Sequence, residues 1–365
     1  MSAWSSNVKF ENGQLMVAGK SAIDLAREFG TPSFILDEAD FKSRAIAFRD
    51  AMNSAFPSAL VYYASKAFTC KEVLRWIKDL GMGVDVATGG ELEVALAVDF
   101  PSAKIQVHGN NKSLAEIDRA VDAGVGCIVI DSLQEIARVA EVAKKYGKTQ
   151  AVMIRLNPGV EAHTLEAIAT AHTDVKFGLS IASGMAWDAV KEIAKYRELD
   201  FRGVHAHIGS QIFNMDGYRL AITRMLDFMA RYRDEFNREL PDVDFGGGFG
   251  IVYTAEDAPL AIEDAVAQIK DAVVEGCAAR LGVRRPRRCA HRRRFLVAQG
   301  RQVRAPARPA RLQAPVLPRR RAGLQRPERC HRGQDPVRRR RHPPVDPGRR
   351  SGHRFDQVQD AHHLG

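Results

Sequence analysis

The chain has 365 residues, 45% of them hydrophobic, enough for two domains or for one barrel with an appendage. No apolar run approaches the roughly eighteen residues that a membrane-spanning helix needs, and Met1–Phe10 lacks the basic-then-apolar pattern of a secretory signal, so a cytoplasmic location is expected. The net charge of +10 averages two unlike parts: residues 280–365 hold 25 Arg, no Lys and five acids, and residues 1–279 hold 29 basic and 39 acidic side chains, so the total gives no ground for a nucleic-acid partner.

In chain order, short apolar or β-branched runs alternate with amphipathic stretches. Strands are predicted over Ser33–Asp37 and Leu60–Lys66, followed by a helix over Cys70–Leu80. A strand over Gly83–Thr88 precedes a helix over Gly90–Val98, and a strand over Ile105–Gly109 precedes a helix over Leu114–Ala123. Next come a strand over Cys127–Asp131, a helix over Leu133–Tyr146, and strands over Ala151–Asn157 and Arg202–Gly209. A helix over Gly217–Phe236 and a strand over Val243–Gly250 end the series, before a helical stretch that closes near Ala279. Buried parallel strands joined by helices produce this alternation, because parallel pairs need crossover connections. Polar residues and glycines gather at the strand ends: Lys66, Thr88, His108, Arg155, His207 and the Gly246–Gly250 cluster. A TIM barrel keeps its chemistry at that rim. A doubly wound sheet is the rival reading, since periodicity does not decide closure; the spacing favours the barrel.

One connection is long. More than twenty residues separate Asn157 from the helix near Met185, among them Glu161-Ala-His-Thr164 and Lys176-Phe-Gly178. A loop of that length in a compact domain is usually functional, and a substrate-facing lid is expected here. The rhythm stops near Arg280. Residues 280–365 contain no Lys, Ile, Thr, Tyr, Asn, Met or Trp, one Ser, and ten of the sixteen prolines. Such a composition packs no core, so residues 281–365 are expected to be disordered. The blend of Arg, Pro, Ala, Gly and His without Lys or Ile reads as GC-rich DNA translated out of frame, in preference to a nucleic-acid-binding extension.

Several residues could bear chemistry. Lys66 ends the run Val61-Tyr-Tyr-Ala-Ser-Lys66; it is either a solvated strand-end lysine or an amine that condenses with an aldehyde, its pKa lowered by desolvation or nearby charge. His205 and His207 share one strand face. They suggest zinc, but no third ligand stands at a telling spacing and the five cysteines are scattered, so no metal is expected. A flat imidazole can instead stack on a planar cofactor. Asp244-Phe-Gly-Gly-Gly-Phe-Gly250 offers backbone N–H groups to a phosphate, without the spacing of a Rossmann fingerprint. Asp85 and Arg155, on strand segments near the rim, read either as a structural ion pair or as a charged pair that orients a cofactor.

Together, Tyr63-Ala-Ser-Lys-Ala67, Val84-Asp-Val-Ala-Thr-Gly-Gly-Glu91, His108-Gly-Asn-Asn-Lys-Ser113, His205-Ala-His-Ile-Gly-Ser-Gln211 and Asp244-Phe-Gly-Gly-Gly248 resemble the diaminopimelate decarboxylases. These belong to the alanine-racemase-like (fold-type III) pyridoxal-phosphate enzymes, which include ornithine and arginine decarboxylases. The likeness runs from about Ser5 to Arg280. It implies pyridoxal 5'-phosphate as cofactor, Lys66 as its Schiff-base lysine and His207 stacked on its ring. Ser210 and Gly246, Gly247 and Gly248 would bind its phosphate, and Asp85 and Arg155 would lie near its phenolic side. The implied reaction removes the D-centre carboxylate of meso-2,6-diaminopimelate to give L-lysine and carbon dioxide. The implied partners are an amino-acid substrate and a second copy of the chain, with no membrane.

The resemblance also implies three parts: an N-terminal segment 1–59, part of which pairs with a C-terminal β-domain; a cofactor-binding barrel over 60–280; and the Arg/Pro-rich tail 281–365 where the β-domain should be. It moves Ser33–Asp37 out of the barrel. The expected fold is then an α/β TIM (β/α)8-type barrel that lacks its eighth strand, which should carry Glu-Pro-Gly-Arg. The later Cys-Glu-Ser-Gly-Asp motif does not occur either. In the family that glutamate meets the pyridine nitrogen, so impaired activity is expected. Two other readings stay open: a non-catalytic cofactor-binding or dimerisation protein with an RNA-binding tail, and another basic amino-acid decarboxylase.

Overall fold

The computed structural model describes residues 4, 5, 7–160, 176–280 and the backbone of 294–299. The chain opens with a small antiparallel sheet of β1 (Val8–Glu11), β2 (Gln14–Val17) and β3 (Lys20–Ser21), followed by helix α1 (Ala22–Phe29). Asn12 and Gly13, both at positive φ, make the β1–β2 turn, as an Asn-Gly hairpin does. Ser33–Asp37, expected to be a strand, joins no ladder. It exposes Phe34 and Ile35, and Asp37 instead caps α2 (Glu38–Ala55) by accepting the Asp40 N–H. Helix α2 packs on the barrel, burying Phe48 and Met52 in the main core.

The barrel strands are β4 (Leu60–Ala64), β5 (Gly83–Val86), β6 (Ile105–Val107), β7 (Cys127–Ile130), β8 (Gln150–Asn157), β10 (Leu199–His205), β11 (Asp242–Asp244) and β12 (Arg294–Gln299). Each pairs in parallel with the next, β8 pairs with β10, and β12 pairs with β4. The short β9 (Leu179–Ser180) adds to the end of β8. The ring therefore closes, and the expectation of an empty eighth place is corrected. Phe295-Leu-Val-Ala298 is an apolar run of the kind an interior parallel strand requires; the Arg-rich average around it concealed it. Residues 161–175 of the expected lid between Asn157 and Met185, and residues 281–293 and 300–365 of the tail, lie outside the described residues.

Outside the ring run α3 (Lys71–Asp79), α4 (Gly89–Leu96), α5 (Leu114–Ala123), α6 (Leu133–Lys145), α7 (Met185–Ile193), α8 (Asp216–Phe236) and α9 (Ile262–Arg280). Their starts are set locally: Ser113 and Glu116 form a reciprocal capping box on α5, and Thr88 caps α4, each satisfying orphan N–H groups. No helix among the described residues is long and apolar enough to cross a membrane.

Strand alternation divides the interior in two. Val61, Val84, Ile105, Ile128 and Ile154 face the helices as one large core. Tyr62, Cys127, Val129 and Met153 form a separate apolar cluster, on the other strand face and thus within the ring. A Cβ on Gly83 would stand 2.5 Å from the Tyr62 ring, so the glycine makes room for that ring. Nearer the C-terminal rim the same inward face turns polar, with Asp85, Gln106, Arg155, His205 and Asp244. An apolar plug below and polar groups above is what places chemistry at the rim.

Candidate active site

At the end of β4 the chain turns through a 3-10 segment, Ser65–Ala67. The Tyr63 hydroxyl donates to the Phe68 carbonyl at 2.8 Å and the Thr69 hydroxyl to the Ser65 carbonyl at 2.5 Å, fixing Lys66 over the rim. Lys66 reaches an open pocket that Asp85, His108, Arg155, His207 and Ser210 also line. The residue is partly open to solvent, yet surrounding protein, and then the Arg155 charge, hold its amine below the ordinary lysine range. Both effects disfavour the ammonium form.

Asp85 and Arg155 share the pocket but do not pair with each other. Arg155 lies 3.5 Å from Asp131 and its guanidinium covers the Phe177 ring at 4.5 Å; Asp131 also accepts the Gly178 N–H. Asp85 lies 3.4 Å from His108 Nε2, and the His108 ring meets the His205 ring edge-on at 4.8 Å between centroids. His205 is fully buried, and burial drives its pKa well below the ordinary value.

His207, next on the same face, is also kept neutral. Burial, then the Lys66 charge, depress it to about 3. Its Nδ1 accepts the Gly247 N–H at 3.4 Å, which leaves the remaining proton on Nε2. Gly246 and Gly248 line the pocket; Gly247 is buried and does not. Gly246 and Gly248 take positive φ of 72° and 99°. A Cβ on either would run into the carbonyl of Ala206 or Gly209, so only glycine lets this loop lie bare against the strand ends.

Sequence reasoning thus brought Lys66, Asp85, Arg155, His207, Ser210, Gly246 and Gly248 to one pocket and missed the groups that hold them. Asp131, beside Arg155, had no motif to mark it, and neither did Gln106, although a polar residue between Ile105 and Val107 is visible as an inward position of an apolar strand.

A phosphorylated pyridine aldehyde fits these residues. Asp85 Oδ1, His108 Nε2 and His205 Nδ1 are buried without a hydrogen-bond partner; Asp85 and His108 also line the pocket, so polar ligand atoms can satisfy them. His108, His205 and Asp244 also bring ligand-capable atoms within 4.8 Å of one another, with the Asp244 carboxylate already accepting from the Gln106 amide and the Gly246 N–H.

Comparison with known proteins agrees with the geometry. The family profile described as "Pyridoxal-dependent decarboxylase, pyridoxal binding domain" matches residues 39–297. The diaminopimelate decarboxylase of Corynebacterium efficiens is 43% identical over 306 residues, covering 83% of this chain and 64% of that protein. That of Mycobacterium tuberculosis is 46% identical over 271 residues, covering 73% of this chain and 60% of that protein. Among solved structures, diaminopimelate decarboxylase from M. jannaschii in complex with L-lysine superposes with a TM-score of 0.71 at 29% identity, covering 81% of this chain and 67% of that one. The chain thus spans less than two thirds of the length of these two curated relatives.

Proposed function

Because the chain belongs to the pyridoxal-dependent decarboxylases through residues 39–297, we propose that it descends from a diaminopimelate decarboxylase acting in the cytoplasm. The proposed reaction releases carbon dioxide from the D-centre of meso-2,6-diaminopimelate to leave L-lysine. The observation behind this reading is the convergence of Lys66, Asp85, Arg155, His207 and the glycine loop on one rim pocket.

When bound, pyridoxal phosphate supplies an aldehyde for an amino group and a conjugated ring that takes up the electrons released as the carboxylate leaves. Lys66 would hold the aldehyde. Its depressed pKa gives it more neutral amine than an ordinary lysine, the form that bonds a carbonyl and can move a proton at Nζ. His207 presents a neutral ring fixed by the Gly247 N–H and would flank the cofactor plane. Ser210 and the pocket-lining Gly246 and Gly248 would hold the phosphate, while Asp85 and Arg155 would orient the phenolic edge.

The same reading makes this chain impaired. Where the resemblance puts Glu-Pro-Gly-Arg, on the eighth strand after the helix that ends near Ala279, the sequence holds no acid from 281 to 327, so the carboxylate expected to meet the pyridine nitrogen is missing. Without that acid the ring nitrogen loses protonation and the electron sink weakens. Dimerisation, implied for the family, would have to proceed without the later motif.

Borohydride reduction of cofactor-loaded protein followed by peptide mapping is expected to place a pyridoxyl group on Lys66; label on another lysine would sink the assignment. Carbon dioxide release from meso-2,6-diaminopimelate is expected to be weak in this chain and to be restored when codons beyond residue 280 are read in the frame that encodes Glu-Pro-Gly-Arg. If restored protein prefers ornithine or arginine, the substrate assignment is wrong.

A further inference from the structure

Tyr218 lies on the first turn of α8, outside every motif that identified the site, and is 2% exposed. Its hydroxyl donates to the Gly247 carbonyl at 2.5 Å. Its ring stacks on Phe249 with centroids 5.2 Å apart and planes 6° from parallel, and Phe249 in turn meets Phe48 of α2 at 5.3 Å. The glycine loop is therefore gripped from behind by one side chain acting at two points.

Gly247 is held at both ends. Its carbonyl takes the Tyr218 hydroxyl, and its N–H goes to His207 Nδ1 at 3.4 Å. Either side of it the loop is fastened again: Asp244 accepts the Gly246 N–H at 2.8 Å, and the Gln211 amide exchanges two hydrogen bonds with the Ile251 backbone, at 2.9 and 3.0 Å. Three glycines in succession have no side chains to hold their own conformation, and glycine is the residue that loses most freedom on ordering. External fastening is what keeps such a loop ready for a ligand, since binding then has less ordering to do.

We propose that Tyr218 is a positioning residue for the cofactor phosphate, holding Gly247 so that the glycine loop keeps one arrangement. This rests on the reading of Gly246–Gly248 as the phosphate loop. Tyr218 touches neither cofactor nor substrate; it acts through Gly247. Burial raises the Tyr218 phenol far above its ordinary pKa, so the hydroxyl remains a donor throughout the working range.

The test compares two ligands of the full chain, pyridoxal 5'-phosphate and pyridoxal, which share the ring and the aldehyde but differ in the phosphate. Dissociation constants are read from cofactor absorbance in the unaltered chain and in Tyr218→Phe, below the unfolding midpoint of each. The hydroxyl is lost in Tyr218→Phe while the ring stays on Phe249. Binding of pyridoxal 5'-phosphate is expected to weaken by about fivefold to tenfold, the scale of one buried hydrogen bond, with pyridoxal unchanged and inorganic phosphate competing less well. Equal weakening of both ligands, or no weakening, would overturn the proposal. A second variant, Phe249→Leu, removes the stack and keeps the hydroxyl; it is expected to lower thermal stability while leaving the ratio of the two affinities within about twofold, and a larger change in the ratio would assign the effect to packing. If the unaltered chain binds pyridoxal 5'-phosphate no better than pyridoxal, the phosphate-loop reading itself fails, and the role of Tyr218 fails with it.

Discussion

Gln106 and Asp244, 138 positions apart in the chain, meet inside the barrel, the Gln106 amide donating to the Asp244 carboxylate at 2.9 Å. Both are fully withdrawn from water, and Asp244 also receives the Gly246 N–H. Burial, with the Asp85 charge next, pushes the Asp244 carboxyl from 3.8 up to about 6. The folded state therefore binds this proton more tightly than the unfolded one. Its contribution to stability is complete below about pH 4 and is lost as pH rises through about 6, an effect on the order of 3 kcal/mol by pH 7. Urea midpoints measured from pH 4.5 to 7.5 should fall less steeply in Asp244→Asn than in the unaltered chain. The amide is accommodated because Gln106 Oε1 has no hydrogen-bond partner and can accept from it after a flip. An unchanged slope would mean that Asp244 ionises like an exposed carboxylate.

The starting residues of the central strands were legible in the sequence. Leu60, Gly83, Ile105 and Cys127 begin strands where the apolar runs begin, because buried parallel strands are written as short continuous hydrophobic stretches. Strand ends were not. The runs were carried on to Lys66, Thr88 and Gly250, whereas the ladders stop at Ala64, Val86 and Asp244; extended backbone continues past the last partner and becomes the rim loop that bears the site. The helix of Tyr218 reads as an ordinary buried face, since a core tyrosine and one that holds a loop carbonyl have the same periodicity. Residues 294–299 are hidden for a different reason: the Arg and Pro residues on either side dilute an apolar run only as long as one strand.

Lys66 should respond to its charged neighbours in opposite senses. Burial is the first cause of its lowered pKa and Arg155 the second, with Asp85 and Glu91 opposing. In Arg155→Gln the ammonium form loses a repelling neighbour, so the pH at which Lys66 becomes reactive moves up. In Asp85→Asn it loses an attracting one, and that pH moves down. Competitive labelling with trace acetic anhydride, followed by peptide mapping across pH 7 to 11, reads both. Movement of the two variants in the same direction would contradict the arrangement.

His207 should remain neutral where an ordinary histidine titrates. Its pKa of about 3 has burial as first cause and Lys66 only as second, so Lys66→Met should leave it neutral as well. Nitrogen-detected NMR of histidine-labelled protein is expected to show one ring with the proton on Nε2, unchanged from pH 8 down to pH 5. A midpoint near 6.5 for that ring would mean that it is solvated and that the Gly247 contact is not maintained.

Two glycines with positive φ should differ sharply on substitution. Gly124, at φ 68°, ends α5 with nothing within 4 Å of a Cβ, so Gly124→Ala meets only the left-handed strain, about 1 kcal/mol. Gly248, at φ 99°, would drive a Cβ into the Gly209 carbonyl, and backbone cannot yield as a flexible side chain does. Gly248→Ala should cost several times as much, roughly 3 kcal/mol or more, read as the difference between the urea midpoints. Similar midpoints for the two variants would show that the loop can retreat from the strand end.

Closure of the ring depends on β12. Val297 aligns with Val61 of β4, and Phe295 with Val243 of β11, so the backbone of this strand is the link between the first and seventh barrel strands. Proline at 297 removes a backbone donor and cannot be accommodated in a strand paired on both sides. Val297→Pro should therefore destabilise the barrel by about 3 kcal/mol, lowering the thermal midpoint by about 6 to 12 °C at the length of this domain. The same opening leaves β4 and β11 as free edges, which favour pairing between chains. Light scattering on heating is thus expected to rise earlier in the variant. If both the midpoint and the onset of scattering stay where they are, residues 294–299 do not close the barrel and the eighth place is empty after all.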